Sequence, residues 1–175
     1  MKTLIRNGTV VTPTGIRKTD LLLADGLIAE VNENLSCGDA NVIDASGKLI
    51  LPGGVDVHTH VTLNPDAATG SDIYFTATRA ALRGGTTSIV EHMGFTPQGR
   101  SVTEQMYLYE NLAAGQSCAD YGFHGLIQSS DNNFSPLLHA FAERGMTSVK
   151  AYMTYAQRCC DGQLSALLKA CAEQG

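Results

Sequence analysis

Along residues 1–52 the apolar positions come in short runs separated by turn-forming residues. Leu4 and Ile5, Val10 and Val11, Leu21 to Leu23, Leu27 to Val31, and Val42 with Ile43 are β-type runs. Between them stand Asn7-Gly8, Pro13 to Gly15, Asp25-Gly26 and Ser46-Gly47. Asp-Gly between two apolar runs is a strong hairpin signal, because both central residues of a tight hairpin turn need positive φ. The pattern predicts a small antiparallel β unit of about five strands, too little sheet to stand without a partner.

From Leu51 onward the rhythm changes. Apolar, β-branched runs at 54–57, 86–90, 121–127 and 147–152 are each followed by a stretch with helical spacing. The first helix is expected over 73–83, with Phe75, Thr78, Ala81 and Leu82 on one face and Gly84-Gly85 as its stop. The second is expected over 102–114, carrying Met106, Tyr109, Leu112 and Ala113. The third covers 137–144, with Ser135 as N-cap, Pro136 as first residue and Gly145 as stop. The fourth covers 163–174, capped by Asp161 and closed by Gly175. Strand starts about 30 residues apart fit successive strand-plus-helix units and hence a parallel sheet. Four such units make either a small open α/β sheet or the first half of a (β/α)8 barrel.

Composition narrows the class. With 43% apolar residues the chain can build a core, which excludes disorder. A net charge of −5 argues against nucleic acid as a partner. No apolar run is long enough to span a membrane, and the start MKTLIRNGTVV lacks a signal-peptide core, so a cytoplasmic protein is the expectation. Five cysteines without a CxxC pair read as reduced thiols, and Cys159-Cys160 as small hydrophobes rather than a redox pair. Charged residues make up only 17%, against about 25% in typical domains. That deficit fits surfaces meant to face further protein.

The candidate chemistry lies at the ends of the predicted strands. In Val55-Asp56-Val57-His58-Thr59-His60, residues two apart share a strand face, so His58 and His60 can point two imidazoles at one divalent ion. Asp56 joins that face by parity or supports the strand. Lys150 sits in the apolar fourth run, where burial favours a neutral amine able to form a carbamate with carbon dioxide. A strand-end lysine reaching solvent is the plainer alternative. Tyr155, five residues on, could donate to a developing oxyanion. His92 and His124 could be ligands but read more readily as core histidines or supports for ligands, and His139 reads as a surface residue. Gly94 and Gly99 read as turn chemistry.

These residues resemble the dihydropyrimidinase/hydantoinase branch of the amidohydrolase superfamily. The resemblance is carried by Ile5 to Val11, Leu51 to His60 (LPGGVDVHTH), Gly84 to Thr87, Glu91 to Phe95 (EHMGF) and Ser148 to Tyr155 (SVKAYMTY), in order and over essentially the whole chain. It implies a TIM-like metal-dependent hydrolase barrel, of which 53–175 would be the N-terminal half, preceded by part of a small β-sandwich over 1–52. It implies two zinc ions, with His58 and His60 on the more buried one and carbamylated Lys150 bridging both. Tyr155 would hydrogen-bond the substrate carbonyl. The substrate would be a small cyclic ureide or amide, opened to an N-carbamoyl amino acid, with the loops at 63–69 and 152–159 shaping the pocket. No nucleic-acid or membrane partner is implied; a homo-oligomer is, tetrameric in full-length relatives. The family completes the site with two later histidines and an aspartate that have no matching positions here, so the chain is expected to be incomplete and inactive alone. The competing expectation is a non-catalytic half-barrel that associates with itself or with a complementary chain.

Overall fold

In a computed structural model, residues 1–67, 73–128 and 133–174 are described, and the chain divides into two compact units, Met1–Pro52 and Gly53–Gly175. The first is a five-stranded sheet built from β1 (Lys2–Thr12), β2 (Gly15–Ala24), β3 (Leu27–Asn32), β4 (Asn41–Asp44) and β5 (Leu49–Ile50). β1 pairs antiparallel with β2, and β2 with β3, whereas β4 and β5 run parallel to β1. The sheet is therefore mixed, not antiparallel as the turn spacing suggested. Asp25 and Gly26 both take positive φ, as the hairpin between β2 and β3 requires. Asn7-Gly8 does not turn the chain. It forms a bulge inside one long β1, with Asn7 at φ 62° and the register shifting between Ile5 and Gly8. The nearly buried Asp20 carboxylate holds this bulge by accepting the Asn7 N–H at 2.9 Å.

The second unit is a four-stranded parallel sheet in the order β6 (Gly54–Thr59), β7 (Thr86–His92), β8 (Asp120–Ile127) and β9 (Val149–Ala151). The connections are α1 (Ile73–Arg83), α2 (Val102–Ala113) and α3 (Phe134–Glu143), and α4 (Asp161–Gln174) follows β9. Sequential order with a helix in each crossover is the geometry of successive barrel units. Core residues from helices and strands include Met106, Tyr109, Phe123, Ile127, Leu138 and Phe141.

Helix ends follow local chemistry. α2 begins at a capping box: Ser101 accepts from the Glu104 N–H, while the Glu104 carboxylate accepts from the Ser101 N–H. α1 stops at Gly84-Gly85, with Gly85 at φ 91°. Two expected starts differ. α3 begins at Phe134, so Ser135 and Pro136 lie inside its first turn and the N-cap position is Asn133. Proline is tolerated there because the first-turn N–H groups have no helical partner. Asp161 is the first residue of α4 rather than its cap, and its charge suits that positive end. Gly175 lies outside the described residues. α1 buries Tyr74 and Thr78, whereas Phe75 and Leu82 are exposed, so its buried face is rotated from the expected one.

Close approach of helix to sheet requires glycine at one position. A Cβ at Gly125 on β8 would sit 2.4 Å from the ring of fully buried Phe141 in α3. Gly125→Ala is expected to destabilise the protein by about 1–3 kcal/mol through overpacking. On the same strand, a Cβ at Gly122 would meet nothing within 4 Å. Gly122→Ala should leave the midpoint of chemical unfolding unchanged or raise it, and equal losses in the two variants would contradict the packing argument.

Candidate metal centre

Parallel strands deliver their C-terminal ends to one edge of a sheet, where the candidate residues meet. His58 lies near the end of β6 and His60 just past it, with ring centroids 5.2 Å apart. His92 ends β7 and His124 lies within β8, and these two are register partners. His92 packs edge-on against His58 at 4.3 Å, lies 5.3 Å from His60, and stacks on His124 at 4.5 Å and 19°. Four imidazoles thus form one continuous cluster.

Lys150 pairs with Leu126 of β8, which shares its strand face with His124, so the lysine faces the histidines. It is half-buried rather than deeply buried, and its Nζ lies 5.1 Å from the centre of the Tyr152 ring. Its charge reaches the cluster. Burial, then His58 and Lys150, holds His60 below the usual imidazole range. Burial, then Lys150 and the other three histidines, lowers His92 to about 4. Both rings are therefore neutral at neutral pH, the form that ligates metal.

Asp56 does not complete the cluster. The register of β6 against β7 shifts between Asp56 and Thr59, which interrupts the alternation that parity assumed. Its Oδ1 instead accepts the His58 N–H at 3.1 Å, so it supports the strand. Tyr155 follows β9 in an exposed loop whose ends are tied by the Cys159 N–H to the Tyr152 carbonyl at 2.8 Å. It takes φ 67°, a left-handed conformation that costs a bulky residue roughly 1–3 kcal/mol and recurs where a side chain must be presented. His139 is exposed and pairs with Glu143 within α3.

Charge and spacing alone did not reveal what holds the loops in place. Glu91, fully buried on β7, accepts from the Thr59 hydroxyl at 2.9 Å, the Val61 N–H at 2.8 Å and the Thr62 N–H at 3.1 Å. Burial pushes its carboxyl up, and these donors pull the other way. The residues on either side of His60 are thereby fixed to β7. Fully buried Tyr109 of α2 donates its hydroxyl to the Thr62 carbonyl at 2.8 Å and accepts the Gly94 N–H at 2.7 Å. One phenol ties the loop after β6 to the loop after β7. A lone glutamate inside the apolar run TTSIVEH was the available signal for Glu91; nothing in the sequence marked Tyr109. The 63–69 loop is described only to Ala67, where Asp66 pairs with Arg100 at 2.8 Å; residues 68–72 lie outside the described residues.

Whether these residues suit a metal can be judged from the donors themselves. His92 Nδ1 is buried with no hydrogen-bond partner, in a ring that packs beside His58 and His60, so the cluster contains an unsatisfied donor or acceptor. Among the described residues no three His, Cys, Asp or Glu side chains form a complete ion-holding group. The fit is to part of a shell: two imidazoles and a lysine.

The strand-and-helix fold has counterparts among solved structures, one of them a member of the amidohydrolase superfamily. The enamidase of that superfamily shares this fold with a TM-score of 0.75 at 20% identity, over 100% of this chain and 48% of its own. More specific likeness is to hydantoinases. The D-phenylhydantoinase of Escherichia coli O9:H4 (strain HS) is 40% identical over 176 residues, covering 100% of this chain and 38% of the relative. The crystal structure of dihydropyrimidinase from Brevibacillus agri superposes with a TM-score of 0.89 at 36% identity, again over 100% of this chain and 38% of that one. The chain thus spans 38% of the length of these relatives. No family profile matches it.

Removing the Tyr109 hydroxyl leaves the Gly94 N–H and the Thr62 carbonyl buried without that partner. Tyr109→Phe is expected to cost about 1–3 kcal/mol. Hydrogen exchange at the Gly94 amide should speed up while exchange in β1 and β2 stays unchanged. Unaltered exchange at Gly94 would show that the phenol does not hold these loops.

Proposed function

We propose that this chain is the N-terminal, metal-binding part of a cyclic amidohydrolase that opens hydantoin or dihydropyrimidine rings to N-carbamoyl amino acids. The observation that carries the reading is the convergence of His58, His60 and Lys150 on one edge of the parallel sheet. On this reading 1–52 is part of a β-sandwich and 53–175 the first half of the barrel. Zinc as the metal, a carbamylated Lys150, a homo-oligomer and residence in the cytoplasm are its finer parts.

His58 and His60 would hold the more buried ion through neutral imidazoles, which the lowered His60 supports. Lys150 would react as the free amine with carbon dioxide, losing a proton and gaining an anionic carbamate whose two oxygens can bridge two ions. A bound divalent metal would supply Lewis-acid polarisation and lower the pKa of water. Tyr155 would donate its hydroxyl to the ring carbonyl oxygen and keep donating as negative charge gathers there. Its exposed, left-handed placement suits a group that meets substrate from the rim. The resemblance assigns the remaining ligands, two histidines and an aspartate, to later strands.

A second reading has its own observation. Among the described residues β6 pairs with β7 alone, and its Val55 and Val57 are 62% and 59% exposed. An unpaired apolar edge strand invites further protein, whether later barrel strands or another copy.

Titration of Zn2+ into the 175-residue chain tests the metal reading. Wild type should bind, and His58→Ala and His60→Ala should each weaken binding by at least about tenfold, or 1.4 kcal/mol. Equal affinities in all three would refute it. Ring opening is tested by fusing the chain to the remaining part of a D-phenylhydantoinase and measuring N-carbamoyl product from phenylhydantoin. Turnover should vanish in Lys150→Ala, and a fully active Lys150→Ala fusion would remove the bridging role. Sedimentation of the isolated chain addresses the exposed edge: self-association should rise with concentration and fall in Val57→Lys.

A further inference from the structure

His92 and His124 are the members of the histidine cluster that the resemblance leaves without a role, and of the two His124 has hydrogen bonds at both ring nitrogens. Its ring is carried by β8, yet it bonds past β7 to β6 on one side and to the segment entering β9 on the other. Nε2 lies 2.9 Å from the backbone carbonyl of Val57 on β6. Nδ1 lies 2.6 Å from the hydroxyl of Ser148, immediately before β9. A carbonyl oxygen can only accept, so Nε2 must carry the hydrogen. Nδ1 of the neutral ring then has only a lone pair, and the Ser148 hydroxyl donates to it. With both nitrogens committed, His124 cannot ligate an ion without giving up one of these bonds. His92 stacks on its face and contacts His58 on the other side.

The two anchor points are informative. Val57 is the residue before His58, and Ser148 is two residues before Lys150. The Ser148 carbonyl is itself tied to β8, accepting the Gly125 N–H at 2.9 Å. One imidazole therefore joins the backbone carrying the histidine pair on β6 to the segment carrying the lysine on β9, across the two strands between them. We propose that His124, held as the Nε2–H tautomer, is a positioning residue whose bonds to Val57 and Ser148 set the spacing between the His58–His60 pair and Lys150. This deepens the metal-binding reading above and rests on it.

Outer hydrogen-bond partners of ligands typically change metal affinity by about 10–100-fold when removed. The probe is Co2+ titrated into the full 175-residue chain, followed by its visible absorption, together with histidine side-chain 1H–15N spectra of the metal-free chain. In the spectra His124 should show the Nε2–H tautomer. Ser148→Ala, which deletes one tie, should weaken Co2+ binding about tenfold and shift the absorption band. Ser148→Thr, which keeps the hydroxyl, should restore both. His124→Phe, which keeps a stacked ring without either tie, should weaken binding at least as much as Ser148→Ala; if it does not fold, the two Ser148 variants decide.

An Nδ1–H tautomer would overturn the proposal. So would equal affinity in Ser148→Ala and wild type, or a loss in Ser148→Thr as large as in Ser148→Ala, since a merely structural serine would not need its hydroxyl. Absence of any Co2+ band in wild type would sink the metal reading and this inference with it. A wild-type band with unaffected variants would sink this inference alone.

Discussion

The arrangement of the second unit depends on one buried carboxyl group. A parallel sheet brings its strand ends to a common edge, but the chain leaving each strand must still turn, and its backbone polar groups lose water as it does so. Behind His60 that problem falls to Glu91. Its carboxylate takes the donors of Thr59, Val61 and Thr62, so the two strands are joined on both sides of the second imidazole. Burying a carboxylate is costly unless hydrogen bonds replace its hydration, and here the donors come from the very loop whose position matters. Stability and site geometry are thus one interaction viewed from two sides. Tyr109 extends the lock outward, from the loop after β6 to the one after β7.

The alternation of strand and helix was legible in the sequence because its signals are local. Four β-branched runs, glycine stops at Gly84-Gly85 and Gly145, and the Asp25-Gly26 turn each act within a few residues. The failures share a different cause. Asn7-Gly8 looks like a turn because its residues favour positive φ, and Asn7 does adopt it; whether that closes a hairpin or bulges a strand is decided by pairing of β1 with β2, β4 and β5, which lie far along the chain. The parallel pairing of β4 and β5 with β1 is equally non-local. For Asp56 two readings stood open, a place on the histidine face by parity or support of the strand; β6 shifts register at that point, and the second is the one found.

The site was legible to a similar degree, for a similar reason. His58 and His60 are neighbours on one strand, and their proximity follows from a period of two. That Lys150 reaches them follows from a parallel sheet only once the register of β8 and β9 is known. His92 and His124 were readable as histidines near strand ends, but not as a stack bridging the set. Their contact depends on both being register partners on adjacent strands.

The cluster's electrostatics follow from that packing. Burial disfavours protonation of His60 and His92, and the neighbouring imidazoles and Lys150 add to this, which is why both are held below their usual range. The arrangement keeps basic lone pairs available close together while excluding the protons that would otherwise occupy them. Such a set is poorly satisfied by itself, as the unpartnered His92 Nδ1 shows. A divalent cation is the complement that neutral nitrogen donors accept without repulsion. His124 differs from His92 in that both of its nitrogens are hydrogen-bonded, to Val57 and Ser148. Within one cluster of four like residues, hydrogen bonding thus separates a ring with both nitrogens committed from one with a nitrogen left open.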